Sequence, residues 1–258
     1  MKIITLGYHD IVDAGSASER GQRVAPSRYT LGRVAFRQHL ESIRDARVRL
    51  TTVGGSEEPN PVLVTFDDGA LGSYTCAAEE LERLGWRGHF FITTDWIGRE
   101  GFMNRDQIRD LRRRGHVIGS HTRSHPARMS RLPWDELIRQ WTESRAILAD
   151  LLGEAVSTAS VSDGYYSSTV GRSAAASGLQ FLFNSEPTPL AQVVDGCSVL
   201  GRYSILSNTA AQEAAALARG TLASHVRQAV SWNAKKIVKA VAGESYLTLR
   251  RMLLSDGK

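Results

Sequence analysis

Only two cysteines, Cys76 and Cys197, occur in the 258 residues. No disulfide framework can therefore organise the chain, and a reducing compartment suits it. No stretch approaches the ~18 consecutive apolar residues of a membrane span, which argues against an integral membrane protein. Repeats, low-complexity tracts and linker-like segments are also missing. A hydrophobic share of 42% against 23% charged excludes intrinsic disorder as the default state. The length suits one domain, and a (β/α) barrel commonly takes about 250 residues. We expect a single domain over residues 1–258, mostly helical from about residue 210 onward.

Positive charge is in excess but unfocused. The 32 Lys and Arg against 27 Asp and Glu give a net +5. The densest groups, Arg112-Arg113-Arg114, Lys235-Lys236 and Arg250-Arg251, fall near expected helix ends, where cations complement the helix dipole. No zinc-finger spacing or RNA-binding aromatic motif accompanies them, so a nucleic-acid partner is not expected. The N-terminus shows no secretory pattern: Met1-Lys2 runs into the strand-like Ile3–Tyr8 and then into polar His9-Asp10. A cytoplasmic protein is the expectation.

What is present is an alternation of short apolar strands and longer helical patterns. Strands are predicted at Ile3–Tyr8, Val62–Phe66, His89–Thr93, Val117–Ser120, Thr158–Val161 and Leu179–Asn184, several as unbroken apolar runs suited to burial on both faces. Between them, Tyr74, Ala77, Ala78, Leu81 and Leu84 form a helical stripe ending at Gly85. Asn104-x-x-Gln107 reads as a capping box, and Trp134 to Leu151 as a helix closed by Gly153. Asp13 to Pro26 reads as a polar surface loop. In the tail, Val226, Val230, Ile237 and Val241 form a helical stripe expected to dock on the core. The alternation implies an α/β fold with parallel strands, either an open sheet or a barrel.

Two polar clusters sit at strand ends. Val62–Phe66 leads into Asp67-Asp68-Gly69, and two adjacent carboxylates in a low dielectric disfavour each other's ionisation unless a cation joins them. The simpler reading is that one caps a helix and the other faces solvent. Val117–Ser120 leads into His121-Thr122-Arg123-Ser124-His125. Histidines four apart share a face if the chain turns helical, which suits two imidazoles on one metal. Gly119 lets the backbone pass closely there, and Ser120 or Ser124 is placed to orient an imidazole. One carboxylate and two histidines make a facial set for zinc or another first-row divalent ion, with the second carboxylate left over as a base. That is the composition of a hydrolase site.

Thr65-Phe66-Asp67-Asp68-Gly69 and His121-x-x-x-His125 resemble the first two motifs of the polysaccharide deacetylases, the NodB-like carbohydrate esterases of family 4. The likeness extends through Gly88–Gly98 and covers roughly residues 1–190. It implies a distorted (β/α) barrel of the NodB-like type. It also implies Asp67 as general base, with Asp68, His121 and His125 as ligands of one divalent ion: Zn first, with Co, Ni, Mn or Fe as alternatives. The reaction implied is hydrolysis of an N-acetyl or O-acetyl group on a sugar, lipid-linked glycan or polysaccharide precursor, with exopolysaccharide biosynthesis as a setting.

For the general acid, Leu6-Gly7-Tyr8-His9-Asp10 is similar to the first strand of circularly permuted members. That makes His9 the acid, with Asp10 placed to hold its tautomer. The later His225 reads as a surface position on a helix. The third motif departs from the family: Ser162-Asp163-Gly164-Tyr165-Tyr166 stands where a proline-containing loop is usual. If the alignment holds, the amide of Asp163 faces the oxyanion, with Gly164 and Tyr165 beside the substrate. No arginine stands in this motif to orient the base. The altered loop at Ser162-Asp163, which also adds the Asp163 charge near the carboxylate pair, motivates a second reading, a catalytically impaired glycan-binding protein of the same fold. Trp96, Tyr165 and Tyr166 are candidates for stacking on sugar rings.

Overall fold

Through the middle of the chain, strands alternate with helices that pack against the sheet. The computed structural model describes residues 2–13, 28–54, 60–230 and 232–233. Strand β1 (Ile4–Tyr8) continues into β2 (Asp10–Val12), which pairs in parallel with β3 (Thr30–Gly32) outside the main sheet. Helix α1 (Arg33–Asp45), β4 (Leu50–Thr51) and β5 (Val62–Phe66) follow. The next helix opens with a π-helical turn, Ser73–Ala77, and continues as α2 (Ala78–Glu82). Then come β6 (His89–Ile92), α3 (Arg105–Arg113), β7 (Val117–Ser120), α4 (Trp134–Leu152) and β8 (Thr158–Ser160). The later elements are α5 (Ser168–Ala176), β9 (Phe181–Phe183), β10 (Gln192–Val194), β11 (Cys197–Leu200), β12 (Tyr203–Ser204) and α6 (Ala211–Ala218). Residues 222–230 form a last helical stretch.

The main sheet runs β10-β11-β9-β8-β7-β6-β5-β1-β12, with β4 alongside β5, and every pair is parallel except β10 with β11. Strands β11 and β12 belong to one extended stretch, yet β11 pairs with β9 and β12 with β1. That stretch joins the two ends of the sheet, which curls into a distorted (β/α) barrel with Gly201-Arg202 at the seam. Side chains alternate across the wall, as strand geometry requires. Ile4, Leu6, Tyr8, Val64, Phe66 and Phe90 pack outward in a large core with α1, α2 and α3. Ile3, Leu63, Phe91, Phe183 and Leu200 form a smaller inner cluster.

The predicted strands appear with ends shifted by up to two residues. Those from β10 to β12 were not predicted, because each is short and the run is broken by Asp195-Gly196 and Gly201. The capping box on α3 is present in full, with Asn104 and Gln107 bonding reciprocally. The arginine run is neutralised locally: Arg112 pairs with Glu154, Arg113 with Asp110, and Arg114 with Glu82 and Asp110. The tail differs from expectation, since Val226 and Val230 are 49% and 63% exposed rather than docked. Ile237, Val241, the lysine pair at 235–236, Arg250-Arg251 and residues 14–26 of the expected loop lie outside the described residues. No described helix is long and apolar enough to cross a membrane.

Candidate metal centre and active site

Parallel strands deliver their last residues to one rim. Hydrogen bonds from Asp67 N to Tyr8 O, His121 N to Ile92 O and Val161 N to Phe183 O carry the strand pairing to that level. The residues just beyond are His9, Asp67-Asp68, His121 and Ser162-Asp163.

One oxygen of Asp68 and one nitrogen each of His121 and His125 lie within 4.8 Å of one another, the one such group among the described residues. Nε2 of His121 stands 3.3 Å from Asp68 Oδ1 and Nε2 of His125 stands 3.4 Å from it. Asp68 Oδ1 is buried without a well-formed hydrogen bond, so this donor set suits a divalent cation. Burial alone would raise the Asp68 carboxyl, but the two imidazoles outweigh it and hold it well below the usual carboxylate range.

The two histidines do not meet on a helix, as their spacing suggested. Residues 121–126 are irregular, and positive φ angles at Thr122 (67°) and His125 (56°) fold the loop so that the ring centroids come within 5.1 Å. Asp68 (75°) and Asp163 (53°) share this conformation. Four of the six non-glycine residues with positive φ among the described residues thus surround one site, and strained backbone of this kind persists where surrounding structure holds it. Thr122 is held by Ser120, which accepts its N–H, and by its hydroxyl contact with Ser162. Trp96 stacks on the His125 ring at 4.9 Å and packs at a tilt against Phe102, so it serves as a wall behind that imidazole.

Asp67 sits beside this group, almost fully buried. Arg202 donates from Nη1 to its Oδ1 at 2.6 Å, and Ser160 donates to the same oxygen at 3.0 Å. Burial would raise this carboxyl, but Arg202 first, then His121 and His9, bring it down to about 2. Arg202 is itself fixed through Nε to Asn184 O and through Nη1 to Thr65 Oγ1. The orienting arginine absent from the third motif is therefore supplied from the barrel seam. No local signal marks it, because a lone arginine between Gly201 and Tyr203 acquires its role only when the sheet closes.

Ser160 was missed as well. Its Oγ lies 2.5 Å from His121 Nδ1, which also faces Ser160 O. The chain runs from His121 Nδ1–H to the Ser160 hydroxyl and on to Asp67 Oδ1, which leaves His121 Nε2 facing Asp68 and able to serve as a ligand atom. Ser120, expected to orient an imidazole, instead bonds Ser144 on α4 and supports the Thr122 turn. Ser124 bonds Gln140.

His9 is coupled by charge to Asp67, Asp68, Arg202 and His121, placing it at the same mouth, and its ring packs 4.5 Å from that of Tyr29. Burial lowers its pKa, the two carboxylates counter it, and its Nδ1 is buried without a partner. Ser73, in the π-helical turn, donates to His9 O at 2.7 Å and fixes the backbone. Asp10 does not hold the imidazole tautomer: Asp10 Oδ1 and His9 Nδ1 are both buried without a well-formed hydrogen bond, and burial raises the Asp10 pKa against the pull of the nearby Ile11 and Gly72 backbone. His225 lies elsewhere, stacked 4.1 Å from Tyr203 and bonded to Leu217 O.

Beyond β8 the chain makes a tight turn over Ser162–Gly164. Asp163 is exposed there; burial would lower the pKa of His125, but Asp68 first, then Asp163 and Asp67, raise it. Tyr165, the next residue, is half-buried. Tyr166 is spent on packing: it joins the cluster of Val161, Val170 and Ala174 rather than the mouth.

A (β/α) barrel that gathers an aspartate pair and two histidines at its strand ends has the architecture of the NodB-like carbohydrate esterases. The family model for polysaccharide deacetylase matches residues 54–182, half of the 258, and the chain belongs to that family. Chitin deacetylase of Colletotrichum lindemuthianum is 36% identical over 70 residues, 27% of this chain and 28% of that protein. YxkH of Bacillus subtilis (strain 168) is 25% identical over 126 residues, 49% of this chain and 45% of that protein. The matched stretch thus spans less than half the length of either curated relative. Among solved structures, the deacetylase PplD of Streptococcus pyogenes in complex with acetate superposes with a TM-score of 0.69 at 20% identity, covering 82% of this chain and 96% of that one. IcaB of Ammonifex degensii gives 0.68 at 24%, covering 84% and 97%. These likenesses establish the fold.

Proposed function

We propose that this protein hydrolyses acetyl groups, N-linked or O-linked, from a sugar of a polysaccharide or its precursor, and that it depends on one divalent cation. Family membership supports deacetylation of a polysaccharide. The observation that carries the metal-dependent reading is the cluster of Asp68, His121 and His125 with Asp67 beside it. A bound cation, zinc or another first-row ion, would acidify water and polarise the acetyl carbonyl.

The protein's own residues supply the rest. Asp67 is the general base: Arg202 and Ser160 both occupy Oδ1, which leaves Oδ2 to take the proton from attacking water. Arg202 and Ser160 hold that carboxylate in one orientation and one charge state. His121 is held as the Nε2 ligand by the Ser160 hydroxyl. His9, at the same mouth, donates a proton to the departing amine or alcohol, its backbone pinned by Ser73. The Asp163 amide, in the loop with Gly164 and Tyr165, faces the developing oxyanion. The impaired-binder reading arose from the altered Ser162-Asp163 loop, and the Arg202–Asp67 pair supplies the orienting arginine which that loop lacks.

Acetate release from acetylated glycans, measured before chelation, after it and after reloading with zinc, cobalt, nickel, manganese or iron, tests this. We expect release to vanish with the cation and return with it. No release from any N- or O-acetylated glycan by fully loaded protein would overturn the reading.

A further inference from the structure

The C-terminal helical stretch, which carries no family motif, reaches the mouth of the barrel. Its course is fixed at three points. His225 stacks on Tyr203 with ring centroids 4.1 Å apart. Gln228 donates to Ser204 O at 3.0 Å, so both anchors lie on β12, directly after Arg202. One turn further on, Trp232 meets the loop beyond β8. A Cβ built on Gly164 would lie 3.4 Å from Trp232 Cη2 and only 2.8 Å from Ser185 Oγ. The loop is thus clasped between the end of β9 and the indole edge, and its φ of +66° leaves no room for a side chain at residue 164.

We propose that Trp232 is a specificity-determining residue: its indole holds a pyranose ring of the glycan next to the one being deacetylated. The inference rests on the deacetylase reading and adds a subsite to it. Trp232 is half-buried, and the exposed residue Asp163 stands one position from the glycine that the indole edge approaches. An aromatic face for the C–H surface of a sugar, with an acceptor for its hydroxyls, is the chemistry that recognises a pyranose. Of the other aromatics considered for this task, Trp96 packs against His125 and Phe102 and Tyr166 joins the α5 packing, while Tyr165, also half-buried, is the second aromatic of the same loop.

The test compares the full-length wild type with Trp232→Ala and Trp232→Phe on two substrates: a tetrasaccharide of β-linked N-acetylglucosamine and an aryl acetate without a sugar. Trp232→Ala is expected to raise KM for the tetrasaccharide about 10-fold while kcat and aryl acetate hydrolysis stay near wild type. Trp232→Phe should recover most of the loss. Equal losses on both substrates would make Trp232 a structural prop and overturn the proposal, as would no change on either. If wild type cleaves neither substrate, the deacetylase reading fails by itself, and calorimetric titration with the same tetrasaccharide decides this one. Weaker binding by Trp232→Ala then supports it. Equal affinity, or no binding by wild type, overturns it.

Discussion

In the proposed role of general base, Asp67 must stay ionised and turned toward the substrate, and two neighbours favour both, Arg202 and Ser160. Asp67→Asn should lower kcat at least 100-fold while the cation is retained, checked by acetate release alongside metal content. Arg202→Met removes the buried partner of a buried carboxylate, so it should cost kcat and about 3 kcat-independent kcal/mol of stability, read by thermal melting. Arg202→Lys keeps a charge but loses the fork that also reaches Asn184 and Thr65, and should recover stability more than rate. Ser160→Ala leaves only the residue-160 carbonyl to hold His121 Nδ1 and removes the link to Asp67, and should weaken cation affinity roughly 10-fold, by titration. The Asp67-Asp68 pair and the two histidines were legible because the residues are close in sequence and follow apolar strands. Arg202 and Ser160 were not, since each meets Asp67 only through the closed sheet.

Among the elements, the buried strands read clearly from their apolar runs, and the α3 cap from its box. Loops that depend on left-handed residues did not: nothing in Thr122 or His125 announces a positive φ. Gly119 was read as a close backbone passage, and a Cβ there would lie 2.6 Å from the Phe91 ring and 2.5 Å from Thr158 Oγ1. Gly119→Ala should therefore cost roughly 1–3 kcal/mol by overpacking, measured by denaturant titration. The α1–α2 contact turns on Glu80, whose side chain is 1% exposed and meets Arg33, Arg37 and Arg83. Arg37 first, with Arg33 and Arg83, outweighs burial and lowers Glu80 from 4.5 to about 2. A folded pKa below the unfolded one gives stability that is complete above the unfolded value and lost as pH falls toward the folded one. Discounted for the partly exposed arginines, it amounts to roughly 2 kcal/mol. Melts of wild type and Glu80→Gln should differ near neutrality and converge toward about pH 2. A constant gap would refute the assignment.

At the scale of the molecule, one stretch from Cys197 to Ser204 closes the barrel, brings Arg202 to the base and seats the last helix. Composition and alternation foretold the α/β class, but not that seam, which depends on strands of two to four residues pairing across the sheet. The cation site joins the loops after β5 and β7, so a bound ion should stabilise the whole fold by mass action, about 2.7 kcal/mol at a hundredfold excess over Kd. The central claim is that Asp68, His121 and His125 hold one ion together. Calorimetric titration of zinc into chelator-stripped protein measures this directly. The account predicts one site per chain in wild type, lost in His125→Ala and in Asp68→Ala while both variants keep their fold by circular dichroism. Binding of the same stoichiometry and affinity in all three proteins would contradict it.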